Sequence, residues 1–221
     1  MADQTRYYTV DNKKYVSVTS VTSQIAKPAL YRFYAKHGWE GATQISSQAK
    51  DTGSKLHEFI KNYLGPETTD LSNIEAHLPV EVRNFLNFVE VFKPKPLLLE
   101  AQLVNAKYKY AGTVDAVVRV KETVVLIDWK TSSAVYDEYL LQVEAYYRAL
   151  MYEAGISGNE FIHPQELWVV RFDKIKEQDF AKSFTKLQKE GSMVRTKPNA
   201  KRWKAFRGLL NLFYWGQGKH K

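Results

Sequence analysis

The sequence predicts an α/β domain, a central mixed β-sheet flanked by helices, and three observations lead there. First, Ala111–Ser133 (AGTVDAVVRVKETVVLIDWKTSS) holds two β-branched runs joined by a polar turn at Lys121-Glu122-Thr123, the pattern of a β-hairpin. Its second run, Val124-Val125-Leu126-Ile127, is apolar without a break, as in a strand covered on both faces. Second, segments with apolar residues at helical spacing lie on both sides of the hairpin. Third, 221 residues with 44% hydrophobic and 14% aromatic content suffice for a well-buried core and exclude wholesale disorder. No repeat, low-complexity segment or linker divides the chain. It therefore reads as one domain over 1–221, with a core at about 42–173, a helical N-terminal part at 17–64 and basic, aromatic helices at 180–221.

Taken in order, Tyr7–Val18 alternates loosely around Asp11-Asn12 and predicts a small hairpin. Ser17–Ser23 is rich in Ser and Thr, as at a helix start. A helical segment follows, with Pro28 near the start of its second part and Leu30, Phe33 and Tyr34 as its apolar stripe. Its Arg32, Lys36 and His37 read as a solvated face or as phosphate contacts. Ala42–Leu64 predicts a longer helix with Leu56, Phe59, Ile60 and Tyr63 in register, and His57 beside them. Gly53, unfavourable inside a helix, marks a close approach of backbone or ligand. Gly65–Pro79 reads as a loop.

Val82, Phe85, Leu86, Val89 and Phe92 follow the i, i+3, i+4, i+7 pattern of an amphipathic helix, which Lys93-Pro94-Lys95-Pro96 stops. Leu97–Val104 is a strand. Beyond the hairpin, Tyr139–Glu153 is a helix bounded by Gly155, packed through Leu141, Ala145, Ala149 and Leu150, with Gln142 and Tyr146 on one face. Glu166–Phe172 predicts a further strand, and Phe180–Glu190 and Ala200–Trp215 two more helices. From Arg195 onward, Lys197, Lys201, Arg202, Lys204 and Arg207 interleave with Trp203, Phe206, Phe213 and Trp215. That pattern fits either a groove tracking a nucleic-acid strand or a packed helix with a basic outer face.

The hairpin carries the chemistry. Alternation along a strand puts Asp128 and Lys130 on one face and Trp129 on the other. If the hairpin pairs as written, Asp115 joins them from the neighbouring strand. Two adjacent carboxylates resist ionising unless a cation neutralises them, and Mg²⁺ or Mn²⁺ prefers such hard oxygen ligands. A lysine beside such an ion orients a water or offsets charge on a phosphate. The competing reading is an ordinary Asp/Lys ion pair at a strand end. Glu100 is either a third acidic ligand or an edge charge, and His57 matters if its helix leans over the hairpin.

A net charge of +8 points to a polyanionic partner, most simply nucleic acid. With no cysteine, disulfides, thiolate-bound zinc and a cysteine-held iron–sulfur cluster are excluded, in keeping with a reducing cytosol. The N-terminus MADQTRYYTV has no apolar signal core and no run approaches ~18 apolar residues, so the expectation is a cytoplasmic protein with no membrane partner.

Together these residues resemble the PD-(D/E)xK nuclease superfamily, closest to its RecB-like branch of mitochondrial and phage-encoded exonucleases. The resemblance rests on Gly53 to His57 (G-x-x-x-H), Glu100, Asp115 in G-x-x-D, Asp128-Trp129-Lys130 in I-D-W-K-T-S, and Gln142 to Tyr146 (Q-x-x-x-Y), in that chain order. It covers roughly His57 to Tyr146. The N-terminal S-V-T-x-V and K-P-A-L segments also look like phage-type members. The resemblance implies a restriction-endonuclease-like core and a Mg²⁺ or Mn²⁺ ion bound by Asp115, Asp128 and the Trp129 carbonyl. His57 would complete the ion's shell, and Glu100 would serve it or a second ion. It implies that Lys130 positions the attacking water, that Gln142 and Tyr146 support the site or touch DNA, and that Thr131 and Ser132 contact phosphate.

The activity implied is a metal-dependent DNA exonuclease acting from DNA ends in replication, recombination or repair. An endonuclease of the same superfamily and a non-catalytic nucleic-acid-binding protein are the alternatives. Many relatives carry four cysteines for an iron–sulfur cluster, and this chain has none. It also has no P-loop helicase motif, so unwinding would fall to a helicase, single-strand-binding or annealing partner, in a bacterial or phage-infected cell.

Overall fold

The N-terminal hairpin forms where Asp11-Asn12 predicts it. β1 (Tyr7–Val10) and β2 (Lys13–Ser17) pair antiparallel, and the two turn residues adopt φ of 49° and 59°, the left-handed geometry of a two-residue hairpin turn. The computed structural model describes residues 5–66, 72–157 and 162–218. Ser17 then caps α1 (Val18–Thr22), its hydroxyl accepting the Ser20 N–H at 3.0 Å. α2 (Pro28–Leu64) opens on Pro28 at its first turn and is broken at Gly38, where φ is 67°. α3 (Ser72–His77) and α4 (Pro79–Phe92) follow, and Lys93 ends α4 in the left-handed conformation.

Next come β3 (Lys95–Asn105), β4 (Tyr110–Val120) and β5 (Thr123–Lys130). α5 (Asp137–Ser157), β6 (Glu166–Arg171), α6 (Phe184–Lys189), β7 (Met193–Thr196) and α7 (Ala200–Gly216) complete the described chain. The strands form one mixed sheet in the order β1-β2-β4-β5-β6-β7, with β3 on the other edge of β4. β2–β4 and β5–β6 are parallel and the remaining pairs antiparallel. The protein is thus α/β, with helices on both faces of a mixed central sheet.

Strand alternation divides the core in two. Val124 and Leu126 face a cluster built with α1, α5 and α7, whereas Val125, Ile127 and Trp129 face one built with α2, α4 and the Phe172–Phe180 region. This explains the unbroken apolar run of β5: each face is covered. Trp129 is 1% exposed and packs against Phe85, Phe88 and Phe172.

Several expectations need correction. The sheet extends beyond 42–173, because β1, β2 and β7 belong to it; β7, at four residues, is too short to show alternation. The hairpin turn is two residues, Lys121-Glu122, since Thr123 already pairs with Val120. Gly155 does not end α5, which runs two residues past it, because open surroundings let a glycine sit in a helix at modest cost. The 65–79 loop contains α3 among its described residues. Phe180 precedes α6, and among the described residues from 180 onward the two expected helices are present, α6 short and α7 long, with β7 between them.

The Leu30, Phe33 and Tyr34 stripe is not core: Leu30 is exposed, and Leu56, Phe59 and Ile60 supply the buried face of α2 together with Ala42. Of the C-terminal aromatics, Phe206 and Phe213 are buried and Trp203 packs on Tyr108 and Tyr110. Three of the tail's four named aromatics thus pack inward beneath a basic outer face, and Trp215 is 65% exposed. Residues 219–221 lie outside the described residues. No described helix is long and apolar enough to cross a membrane.

Candidate active site

The site lies where two strands part. On the edge of β4 away from β3, Tyr110 and Ala111 pair with β2, and Ala116 onward pairs with β5. Between them, residues 112–115 have no strand partner on that edge. β5 leaves β4 after the Ala116–Ile127 pair and continues beside β6 to Lys130. In the fork, Asp115 Oδ2 accepts the Trp129 N–H at 2.7 Å. A side chain replaces the ladder bond, and the carboxylate is fixed in place.

Two further elements reach the fork. Glu100 sits on β3 between the Leu99–Ala116 and Ala101–Val114 pairs, hence opposite Asp115, with φ of 46°. That left-handed conformation costs a non-glycine residue about 1–3 kcal/mol, and such outliers concentrate at functional sites. His57 descends from α2. Its Nε2 is 3.2 Å from the Trp129 carbonyl oxygen, and its Nδ1 is 3.5 Å from both Glu100 Oε1 and Asp115 Oδ1. The ligand atoms of His57, Glu100 and Asp115 all lie within 4.8 Å of one another.

Asp128 is close by but otherwise engaged. Its Oδ2 is 2.6 Å from Lys130 Nζ, and its Oδ1 accepts from Gln142 Nε2 at 3.0 Å. Gln142 Nε2 also donates to the Tyr146 hydroxyl at 2.9 Å. The resemblance implied Asp128 as a metal ligand; in this arrangement it anchors Lys130. Lys130 also lies 4.8 Å from the centroid of the Tyr139 ring. Thr131 faces Gly53, where an added Cβ would stand 3.4 Å from Thr131 Oγ1, so α2 closes down on the strand end there. Ser132 Oγ donates to the Ala134 carbonyl at 2.7 Å and turns the chain toward α5.

Burial governs the electrostatics. It pushes the Asp115 carboxyl up, to about 7, and the neighbouring Asp128 charge adds to this against the pull of His57 and Lys130. Burial alone would lower His57, but Asp115 and Glu100 outweigh it and raise the imidazole to about 9. Lys130 is likewise held above the ordinary lysine range, because Asp128 and Asp115 outweigh its burial. The cluster therefore favours positive charge wherever it can be placed. Two carboxylates and an imidazole are a donor set suited to a hard or borderline divalent cation.

Two cavities meet here. One, about 770 Å³, opens past Arg6, Tyr8, Lys61 and Thr113; the other, about 760 Å³, opens past Phe33, Ile45, Ser133 and Lys174. Lys50, Gly53, His57 and Lys130 border both. Arg6 and Tyr8 were not singled out from the sequence. Arg6 lies 4.8 Å from the Tyr8 ring, and the Tyr8 hydroxyl is 3.1 Å from Thr113 Oγ1. Only the parallel β2–β4 pairing brings them to the fork, and no local pattern announces it. Gly112 was also missed as a packing residue: a Cβ there would come within 2.4 Å of Tyr146 Cε1.

No family model matches this chain, and no curated protein does. Among solved structures, a chain described as "Crystal structure of SSO0001" is similar at a TM-score of 0.41 and 13% identity, over 88% of this chain and 72% of that one.

Proposed function

We propose that this protein is a metal-dependent nuclease with a restriction-endonuclease-like core, of the RecB-like branch of the PD-(D/E)xK superfamily, and that it acts as an exonuclease on DNA ends in replication, recombination or repair. The observation that carries the reading is the convergence of His57, Glu100 and Asp115 from three separate elements beside the Asp128–Lys130 pair. A structural ion pair at a strand end has no need of a histidine from a distant helix or a strained glutamate.

His57, Glu100, Asp115 and the Trp129 carbonyl are the groups that would hold Mg²⁺ or Mn²⁺. When bound, the ion supplies an acidified water and charge neutralisation at the scissile phosphate. The rest is work for the chain itself. Asp128, held by Gln142, fixes the Lys130 ammonium at the edge of the cluster, where it orients the attacking water and offsets charge developing on the phosphate. Lys130 acts as a cation rather than a base, since its two carboxylate neighbours keep the proton on it. Arg6, Lys50 and Lys61 line the cavity as cations for flanking phosphates.

The test is cleavage of matched linear and covalently closed circular DNA with Mg²⁺ or Mn²⁺, by the unaltered protein and by Lys130→Ala. We expect linear forms alone to be digested, and Lys130→Ala to be slower by about three orders of magnitude while still binding DNA. Equal cleavage by the variant removes Lys130 from the mechanism. Cleavage of circles by the unaltered protein only would make it an endonuclease with the same site.

A further inference from the structure

We propose that the first half of α2 is a stacking platform for an unpaired nucleic-acid strand, which reaches the fork through the second cavity. This deepens the nuclease reading and rests on it for the chemistry at the end of that path. Between Pro28 and Lys55 only Ala42 is buried. A helix that buries so little is marginal by itself, so this one is stable chiefly against something that covers it.

The exposed surface is aromatic and cationic together. Tyr31 is 72% exposed and Trp39 53%, and Trp39 stacks on Tyr34 across the Gly38 break at 5.1 Å and 25°. Phe33, at 4.9 Å from the His37 ring, continues the row to the mouth of the second cavity. Arg32, Lys36 and Lys50 are exposed, and among the described residues none has a carboxylate within ion-pair distance. Between Pro28 and Lys50 the one carboxylate is Glu40. The opposite lip of the cavity adds an aliphatic side chain, Ile175, 84% exposed, and the cation Lys174, beside an Asp173 carboxylate that Arg171 pairs.

A ligand for such a surface must offer flat apolar faces and regular negative charge. An unpaired polynucleotide offers both, whereas in a duplex the base faces are consumed by stacking on one another. An acidic protein partner offers flat faces only at its scattered aromatic side chains, not one beside every charge. The platform therefore selects single strands before they reach Lys130.

The experiment is fluorescence anisotropy with labelled oligothymidylate and a blunt duplex of equal length, in EDTA so that nothing is cleaved. The proteins are the unaltered chain, Tyr31→Ala/Trp39→Ala and Tyr31→Phe/Trp39→Phe. We expect the alanine pair to lose on the order of tenfold or more in affinity for oligothymidylate while duplex affinity moves less than about twofold. The phenylalanine pair keeps the rings and should restore single-strand binding to within about threefold, which excludes a folding defect as the cause. Unchanged single-strand binding by the alanine pair, an equal loss for both nucleic acids, or no nucleic-acid binding by the unaltered protein overturns the proposal. Cleavage is assayed separately with Mn²⁺. If rings matter for binding but nothing is cut, the nuclease reading fails and the platform stands; if DNA is cut and the rings are irrelevant, the reverse holds.

Discussion

At the scale of single residues, the site is held by contacts that leave no slack. Tyr146 is buried against Gly112, and its hydroxyl is tied through Gln142 to Asp128, which holds Lys130. Gly112→Ala would place a methyl 2.4 Å from the Tyr146 ring. The ring must move, and Gln142 and Asp128 move with it. We expect DNA cleavage to fall by about 10- to 100-fold, measured as initial rate on linear DNA. Gly155→Ala is the control: nothing lies within 4 Å of that position, which is inside α5. There the substitution should stabilise by about 0.5–1 kcal/mol in denaturant unfolding, with cleavage unchanged. What strand alternation governs was readable beforehand: Asp128 and Lys130 together, Trp129 opposite, Asp115 from the next strand. What it does not govern was unreadable. Nothing local to Glu100 predicts a left-handed φ, and nothing near Asp128 says that Lys130 and Gln142 would claim both its oxygens.

At the scale of elements, the sequence located strands and helices wherever periodicity was strong, and missed what depends on packing partners. The interleaved aromatics and cations of α7 look like a nucleic-acid groove until α5 is placed beside them. Then Phe206, Leu210 and Phe213 fill the core, and Glu144, 0% exposed, gathers the α7 end. Its carboxylate bonds Arg148 at 2.9–3.0 Å, accepts the Asn199 N–H at 2.8 Å and faces Arg202 at 3.6 Å. Conversely, the Leu30, Phe33 and Tyr34 stripe has helical spacing but no sheet beneath it. Glu144→Ala removes the common partner of two arginines and a helix N-terminus. Breaking a buried pair in this way should cost about 3 kcal/mol, or a fall of roughly 6–12 °C in Tm for a chain of this size. Cleavage measured below the melting transition should be unaffected, since this cluster lies in the α5–α7 packing and contributes no residue to either cavity.

At the scale of the whole molecule, the candidate ligand atoms at the fork come from α2, β3 and β4. None of these elements holds the cluster alone; the folded sheet and the helix packed across it do. A cation bound there therefore links parts of the chain far apart in sequence, and binds the folded state in preference to the unfolded one. At ~100-fold excess over Kd this linkage contributes about 2.7 kcal/mol, a rise of roughly 5–10 °C in Tm. We expect Mn²⁺ to produce such a rise with the unaltered protein and EDTA to reverse it. Asp115→Asn keeps an acceptor for the Trp129 N–H but loses the anionic ligand, so its Tm should not respond to Mn²⁺. Lys130→Ala should keep the response in full, because the ammonium sits outside the His57, Glu100 and Asp115 group. A response that survives in Asp115→Asn would move the ion elsewhere. A response lost in Lys130→Ala would mean that Lys130 and Asp128 help build the ion's site rather than act beside it.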